Sequence, residues 1–247
     1  MPLPMKLRRS LKRRFGRSKV ALRLEENYPD IVEPEFHAAM ELCREASMTS
    51  IERLYALFAA TRYVVTAGIP GAFVECGVWK GGSVMMMAAT LRSLGVVDRD
   101  LHLFDTFTGM PEPGDKDVDY AGASMREVAK AIPDWLKAGM EEVRANVART
   151  GYPMARFHFV LGDVLETLPT QAPAEVALLR LDTDWYKSTA HELAHLFPRL
   201  VRRGVLIIDD YGHFRGVREA VDDFLARQPE RYLLQRIDYA ARLLIKA

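Results

Sequence analysis

Between residues 72 and 211 short apolar runs alternate with longer stretches of helical periodicity, and this alternation restricts the fold more than any other feature. The runs are AFVECGV, DLHLFDTF, RFHFVLGDV, VALLRLDTD and GVLIIDDY. Helical patterns separate or follow them at 83–94, 125–149, 165–168, 188–201 and 217–227. Strand, helix and strand in repeated order imply right-handed crossovers and a parallel sheet covered on both faces. The closing segments RYLLQRIDY and ARLLIKA read as two more strands around a turn, giving an antiparallel edge. The expected fold is therefore α/β: a Rossmann-like, doubly wound, mostly parallel seven-stranded sheet preceded by N-terminal helices. A hydrophobic content of 49 % over 247 residues supplies enough apolar side chains for its core.

Upstream of this pattern the texture differs. The first twenty residues are locally basic, with Leu7, Leu11 and Phe15 at helical spacing, and read as a solvated arm or a lid. Residues 35–67 read as two helices with a break near Ser47–Ser50, where Ser50 can cap the second. We expect an arm and helical cap over 1–67 and a cofactor-binding domain over 68–247. The net charge of +1 and the absence of a basic–aromatic stripe argue against nucleic acid as substrate. No apolar run is long enough to span a bilayer, and no secretory pattern follows the basic start, so a cytoplasmic location is the default expectation. Two cysteines, Cys43 and Cys76, form no disulfide framework.

In an open α/β sheet, ligands bind beyond the C-terminal ends of the strands. Here every strand ends in acid: Glu75, Asp105, Asp163, Asp182 with Asp184, and Asp209 with Asp210. Such carboxylates can cap the following helices, a reading that suits Asp163, or can face a shared polar ligand. The first turn, VECGVWKGGS, carries Glu75 where a dinucleotide fingerprint has a glycine. A carboxylate there repels phosphate and favours an amine. Asp105 at the next strand end suits a ribose diol, and Asp163 lies where a base edge would sit. A nucleoside with an amino-acid tail and no phosphate fits this series, which is the chemistry of S-adenosylmethionine. A nicotinamide-dependent oxidoreductase fits less well, because Glu75 and the single Gly77 spoil the phosphate turn. A non-catalytic binding protein leaves the acid series unexplained.

The acids of LRLDTDWYKS and LIIDDYG form a second group. Asp182 and Asp184, two apart on extended chain, share a face, and Asp209–Asp210 end a neighbouring strand. Like charges so close need a cation or a proton, and an all-oxygen set suits magnesium, calcium or manganese. The competing reading pairs these acids with Arg180 or Arg215. Residues 108–124 read as either a lid or a surface loop. Tyr120, Trp135, Trp185, Tyr186 and Tyr211 are candidates for the wall of an acceptor pocket. His213 reads as a surface residue or an assistant to catalysis.

FVECGVWKGGS, LHLFDTFTGMP, LRLDTDWYKST and GVLIIDDYG, in this order and spacing, resemble the macrocin O-methyltransferase family. Its members methylate sugar hydroxyls of antibiotics, and its plan is similar to that of the magnesium-dependent catechol O-methyltransferases. The resemblance covers roughly residue 47 to the end. It implies that Glu75, Gly77 and Ser83 contact the methionine portion of S-adenosylmethionine, that Asp105 and Thr106 hold the ribose, and that Asp163 lies near the adenine. It further implies Mg2+ at Asp182, Asp209 and Asp210, with Asp182 as proton acceptor and Asp184 and Lys187 as alternatives. The implied partner is a small-molecule hydroxyl acceptor, glycosylated in this family or phenolic as in the catechol enzymes, and family members are often homodimers.

Overall fold

The computed structural model describes residues 27–132 and 136–247. The basic arm and Trp135 lie outside the described residues. Seven strands form one sheet: β1 (Ala72–Cys76), β2 (Leu101–Asp105), β3 (Phe157–Leu161), β4 (Val176–Leu181), β5 (Leu200–Ile208), β6 (Gln235–Arg236) and β7 (Arg242–Ile245). Their spatial order is β3-β2-β1-β4-β5-β7-β6. The first five are parallel, and β7 runs antiparallel between β5 and β6. The chain builds outward from β1 to β3, then returns across β1 to start β4. The switch point therefore lies between β1 and β4, where a crevice opens at the strand ends.

Eight helices accompany the sheet among the described residues: α1 (Pro34–Cys43), α2 (Ile51–Thr66), α3 (Gly82–Ser93), α4 (Met125–Ala131), α5 (Met140–Ala148), α6 (Val164–Gln171), α7 (Tyr186–Leu196) and α8 (Arg215–Ala226). Ser50 caps α2 as its position suggests, its hydroxyl accepting from the Arg53 amide at 3.2 Å. The expected helix over 125–149 is instead two helices, α4 and α5, with residues 132–139 between them. On one face, α1, α2 and α3 bury Phe36, Phe58, Leu54 and the run Met85–Met87 against Phe73, Leu178 and Ile207. On the other, α6, α7 and α8 pack Leu168, Leu193 and Val221 against Val74, Leu179 and Leu206. Alternation along each strand sorts its residues between these two cores. Every residue of β4 is buried, as a central parallel strand demands.

Helices α1 and α2 thus share the core of the sheet. Residue 67 marks a change of sequence texture, and the apolar packing runs through it without a break. Strand β5 begins four residues earlier than the GVLIIDDY pattern suggests, reached through a left-handed Arg203 (φ 67°). Strand β6 is only two residues long, and both are exposed. Its neighbour Leu233 is 83 % exposed, so the apolar look of RYLLQRIDY comes from residues that mostly do not enter the ladder.

Candidate active site

The turn after β1 is shaped by one close approach. Gly77 has φ 81°, its amide bonds to the Phe104 carbonyl, and a Cβ built on it would stand 2.1 Å from the Asp182 carbonyl oxygen. No side chain fits there. The loop leaving β1 therefore lies directly against the loop leaving β4, which brings the two acid groups of the sequence together. Gly77→Ala combines a left-handed backbone with a backbone clash and is expected to cost about 2–4 kcal/mol of stability, measurable by urea denaturation. Wild-type stability for that variant would show that the two loops need not touch.

Asp105 fastens the same turn. Its Oδ2 accepts from the Val78 and Trp79 amides at 2.7 and 3.1 Å, and its Oδ1 from the Phe107 amide at 2.7 Å. Thr106 Oγ1 donates to the Gly109 carbonyl at 2.6 Å. Asp163 is the N-cap of α6, accepting from the Leu165 amide at 2.9 Å. Ser83 lies in the first turn of α3, buried. A cleft enclosing about 640 Å3, part of it open to solvent, runs along these elements. Its wall includes Gly77, Asp105, Thr106, Gly162, Asp163 and Asp182, with Phe104, Met110, Leu136 and Val164 as apolar lining.

Behind the turn, a buried arginine gathers the acids. Arg180 on β4 is in register with Glu75 on β1, and both face the α2 side. Its guanidinium pairs with Glu75, with Asp182 at 2.9 Å and with Asp209 at 2.6 Å, and donates to Thr49 at 3.3 Å. Arg180 is 3 % exposed. A second guanidinium, Arg53 of α2, pairs with Asp209 and reaches Asp238 at 2.9 Å. Glu75 has lost nearly all hydration, and this pushes its carboxyl up to about 7 against the pull of Arg180. Its Oε2 is buried without a hydrogen-bond partner.

The carboxylates that converge differ from the set expected at a metal. Asp182, Asp184 and Asp210 each offer an oxygen within 4.8 Å of the others. Asp209 stands apart from this group, both of its oxygens facing guanidiniums. Asp184 joins it with a left-handed backbone (φ 67°) in place of the extended one expected. Asp182 Oδ1 is buried with no hydrogen-bond partner. Desolvation, opposed by Arg180 and reinforced by Asp209, Asp210 and Asp184, holds the Asp182 carboxyl well above its usual range. Lys187 lies exposed on α7, and Arg215 turns to the Tyr120 carbonyl at 3.3 Å.

The loop over 108–124 is pinned to the domain. Asp117 accepts from the Tyr186 and Gly114 amides at 2.8 and 2.6 Å, and Asp119 from the Ala121 and Ala123 amides at 2.9 and 2.7 Å. Trp185 is buried and donates to the Pro111 carbonyl at 3.0 Å, which holds Met110 and Pro111 over the cleft. Lys116 covers the Tyr186 ring, and Tyr211 bonds to Asp222, so these two rings are engaged at the surface. His213 is a buried residue, its Nδ1 3.1 Å from the Tyr239 hydroxyl, and it holds the loop through its carbonyl to the Tyr120 amide.

The family model of macrocin O-methyltransferases (TylF) matches residues 34–245. The chain belongs to this family. It is 38 % identical over 185 residues to the 8-demethyl-8-(2,3-dimethoxy-alpha-L-rhamnosyl)-tetracenomycin-C 4'-O-methyltransferase of Streptomyces olivaceus, covering 73 % of this chain and 68 % of the relative. It is 32 % identical over 182 residues to the mycinamicin III 3''-O-methyltransferase of Micromonospora griseorubida, covering 73 % and 70 %. Among solved structures, the O-methyltransferase NovP superposes with a TM-score of 0.74 at 30 % identity, over 81 % of this chain and 82 % of that one. The protein is an O-methyltransferase with the Rossmann-like sheet expected from its sequence. Among the described residues, no helix is long and apolar enough to cross a membrane.

Proposed function

We propose that the enzyme transfers a methyl group from S-adenosylmethionine to a hydroxyl of a sugar or glycosylated natural product, with Mg2+ held by Asp182, Asp184 and Asp210. The observation that carries this reading is a single cleft whose wall runs from Gly77, Asp105 and Asp163 to Asp182. The nucleoside end and the acid cluster therefore adjoin, as methyl transfer to a nearby oxygen requires. The acceptor class follows the Streptomyces olivaceus relative, whose name puts a rhamnosyl group on its substrate.

The residues fit both groups. Apolar lining with polar groups at its ends suits a nucleoside. Asp105 spends part of its capacity on the turn, yet Oδ1 retains room for a ribose hydroxyl beside the Phe107 amide, with Thr106 next to it. Asp163 caps α6 and still borders the cleft where the adenine would lie. Glu75 and Ser83 are buried and do not form part of the cleft wall, Glu75 being paired with Arg180. Three clustered carboxylates, with an unpartnered buried oxygen on Asp182, suit a hard divalent ion.

The cofactor supplies a methyl group on a sulfonium. Magnesium, when bound, supplies Lewis-acid polarisation of the acceptor hydroxyl. The protein's own tasks are to exclude water, orient the acceptor oxygen and remove its proton. Met110 and Pro111 narrow the cleft, and the pinned loop keeps them there. Asp182, bordering the cleft, accepts the proton. Arg180 keeps that carboxylate aimed.

The test pairs activity with binding. Assayed with S-adenosylmethionine, a glycoside should be methylated far faster than a catechol; the reverse preference would overturn the acceptor class. Excess EDTA should lower the rate at least 100-fold, with recovery on adding Mg2+. Full activity in EDTA would remove the metal from this reading.

A further inference from the structure

Thr183 separates Asp182 from Asp184, and its side chain is held by a residue outside the cleft. Its hydroxyl donates to Glu192 Oε1 at 2.8 Å. Glu192 comes from α7, is 0 % exposed, and its Oε2 has no hydrogen-bond partner. The backbone around Thr183 is fixed at the same point. The Asp182 amide bonds to the Cys76 carbonyl at 2.9 Å, and the Thr183 carbonyl accepts from the Trp185 amide at 2.8 Å. Between these anchors Asp184 takes its left-handed conformation.

We propose that Glu192 is a positioning residue for the methyl-transfer reaction: by gripping the Thr183 hydroxyl it holds the Asp182–Asp184 turn in the form that sets both carboxylates beside Asp210. The inference rests on the reading of that acid cluster as the reaction site. Two physical points single out Glu192. A left-handed backbone at a non-glycine residue costs of order 1–3 kcal/mol and persists only where the surroundings enforce it. A carboxyl group buried in full with one hydrogen bond is a poor choice for packing alone, since a hydrophobic residue of similar volume serves at least as well. Burial pushes the Glu192 carboxyl up to about 8, so at neutral pH it is chiefly the uncharged acid, which a glutamine copies in shape and in acceptor oxygen.

The test uses Thr183→Val, Glu192→Leu and Glu192→Gln, each measured for melting temperature, for Mn2+ affinity of the free protein by calorimetry, and for kcat and KM. Thr183→Val and Glu192→Leu should weaken Mn2+ binding and lower kcat by roughly 10–100-fold, while KM for S-adenosylmethionine changes less than about threefold. The melting temperature of Glu192→Leu should match or exceed the wild type, whereas Thr183→Val, which leaves the buried carboxyl without its hydrogen bond, should melt lower. Glu192→Gln should restore Mn2+ affinity and kcat to within about threefold, since its amide oxygen still accepts from Thr183. If Glu192→Leu does not fold, Thr183→Val carries the same test. Wild-type cation affinity and kcat in Thr183→Val would overturn the proposal, as would a glutamine variant no better than leucine. A wild-type protein that binds no Mn2+ would overturn the underlying assignment of the acid cluster instead.

Discussion

Arg180→Leu should lower the unfolding free energy by about 3–5 kcal/mol at pH 8, with a fall in melting temperature on the order of 10 °C. The guanidinium is buried and serves Glu75, Asp182 and Asp209 together. Removing it leaves buried carboxylates short of their counter-charge, a larger loss than the pair's net worth. Asp209 keeps Arg53, so the deficit falls on Glu75 and Asp182. Arg180→Lys should recover little, because one ammonium cannot present two separate nitrogens to three carboxylates. The loss should also depend on pH. With Arg180 in place the Glu75 carboxyl already stands at about 7, above its unfolded value of 4.5, and without the guanidinium it rises further. A carboxyl raised in the folded state binds its proton more tightly there, so its contribution is intact below the unfolded pKa and is lost as pH rises through the folded one. The gap between variant and wild type should therefore be narrow near pH 5 and wide at pH 8. Adding Glu75→Gln to Arg180→Leu should close part of the gap at pH 8. A gap independent of pH would show that the arginine stabilises by packing alone.

What could be read from the sequence follows the range of each interaction. Strands β1, β2, β4 and β5 were legible because burial on both faces writes them as largely apolar runs, and the acid at each end marks where the ladder stops; β3, at the sheet edge, is only partly buried. Helix α2 was legible from Ser50 because a cap is local. The rest depends on contacts across the fold. Arg180 carried a signal, since a strand whose every residue must be buried cannot hold an unpaired guanidinium; Asp182 and Asp209 are among the acids that the competing reading paired with it, while Glu75 on β1 could not be named from spacing. Arg53 carried none: it looks like any polar residue in the first turn of a helix, and only the packing of α2 on the sheet brings it to Asp209. Spacing correctly put Asp182 and Asp184 together, but for a different reason. An extended chain was expected to align them, whereas a left-handed Asp184, braced through Thr183 and Glu192, does so. That conformation also exchanges Asp184 for Asp209 in the converging trio, a change of one residue that no pattern along the chain records. Asp105 and Asp163 show the opposite case: each does local work on a turn or a helix start and borders the cleft as well, so capping does not take a residue away from the cleft.

Asp182→Asn should lower kcat by about 10^2–10^4-fold, the range set by loss of a positioned general base, while the fold holds or gains stability. The asparagine keeps an oxygen for Arg180 to bond at the same place, so the bridge to β1 and β5 survives. It removes one negative charge from a group of acids within 4.8 Å of one another, where like charges destabilise the empty protein. A site that gains stability when its acid is neutralised is one held under strain for function. Asp209→Asn should behave differently. It removes the charge that Arg53 and Arg180 share, loosens the contact of α2 with the sheet, and should lower the melting temperature together with activity. The pair thus separates chemistry from support. Binding of S-adenosylhomocysteine, followed by calorimetry, should persist in Asp182→Asn to within about tenfold, because the turn at Gly77, Asp105 and Asp163 is left as it was. If Asp182→Asn unfolds while Asp209→Asn stays folded and inactive, the roles of the two acids are exchanged, and the reaction centre belongs on the Arg53 side of the bridge.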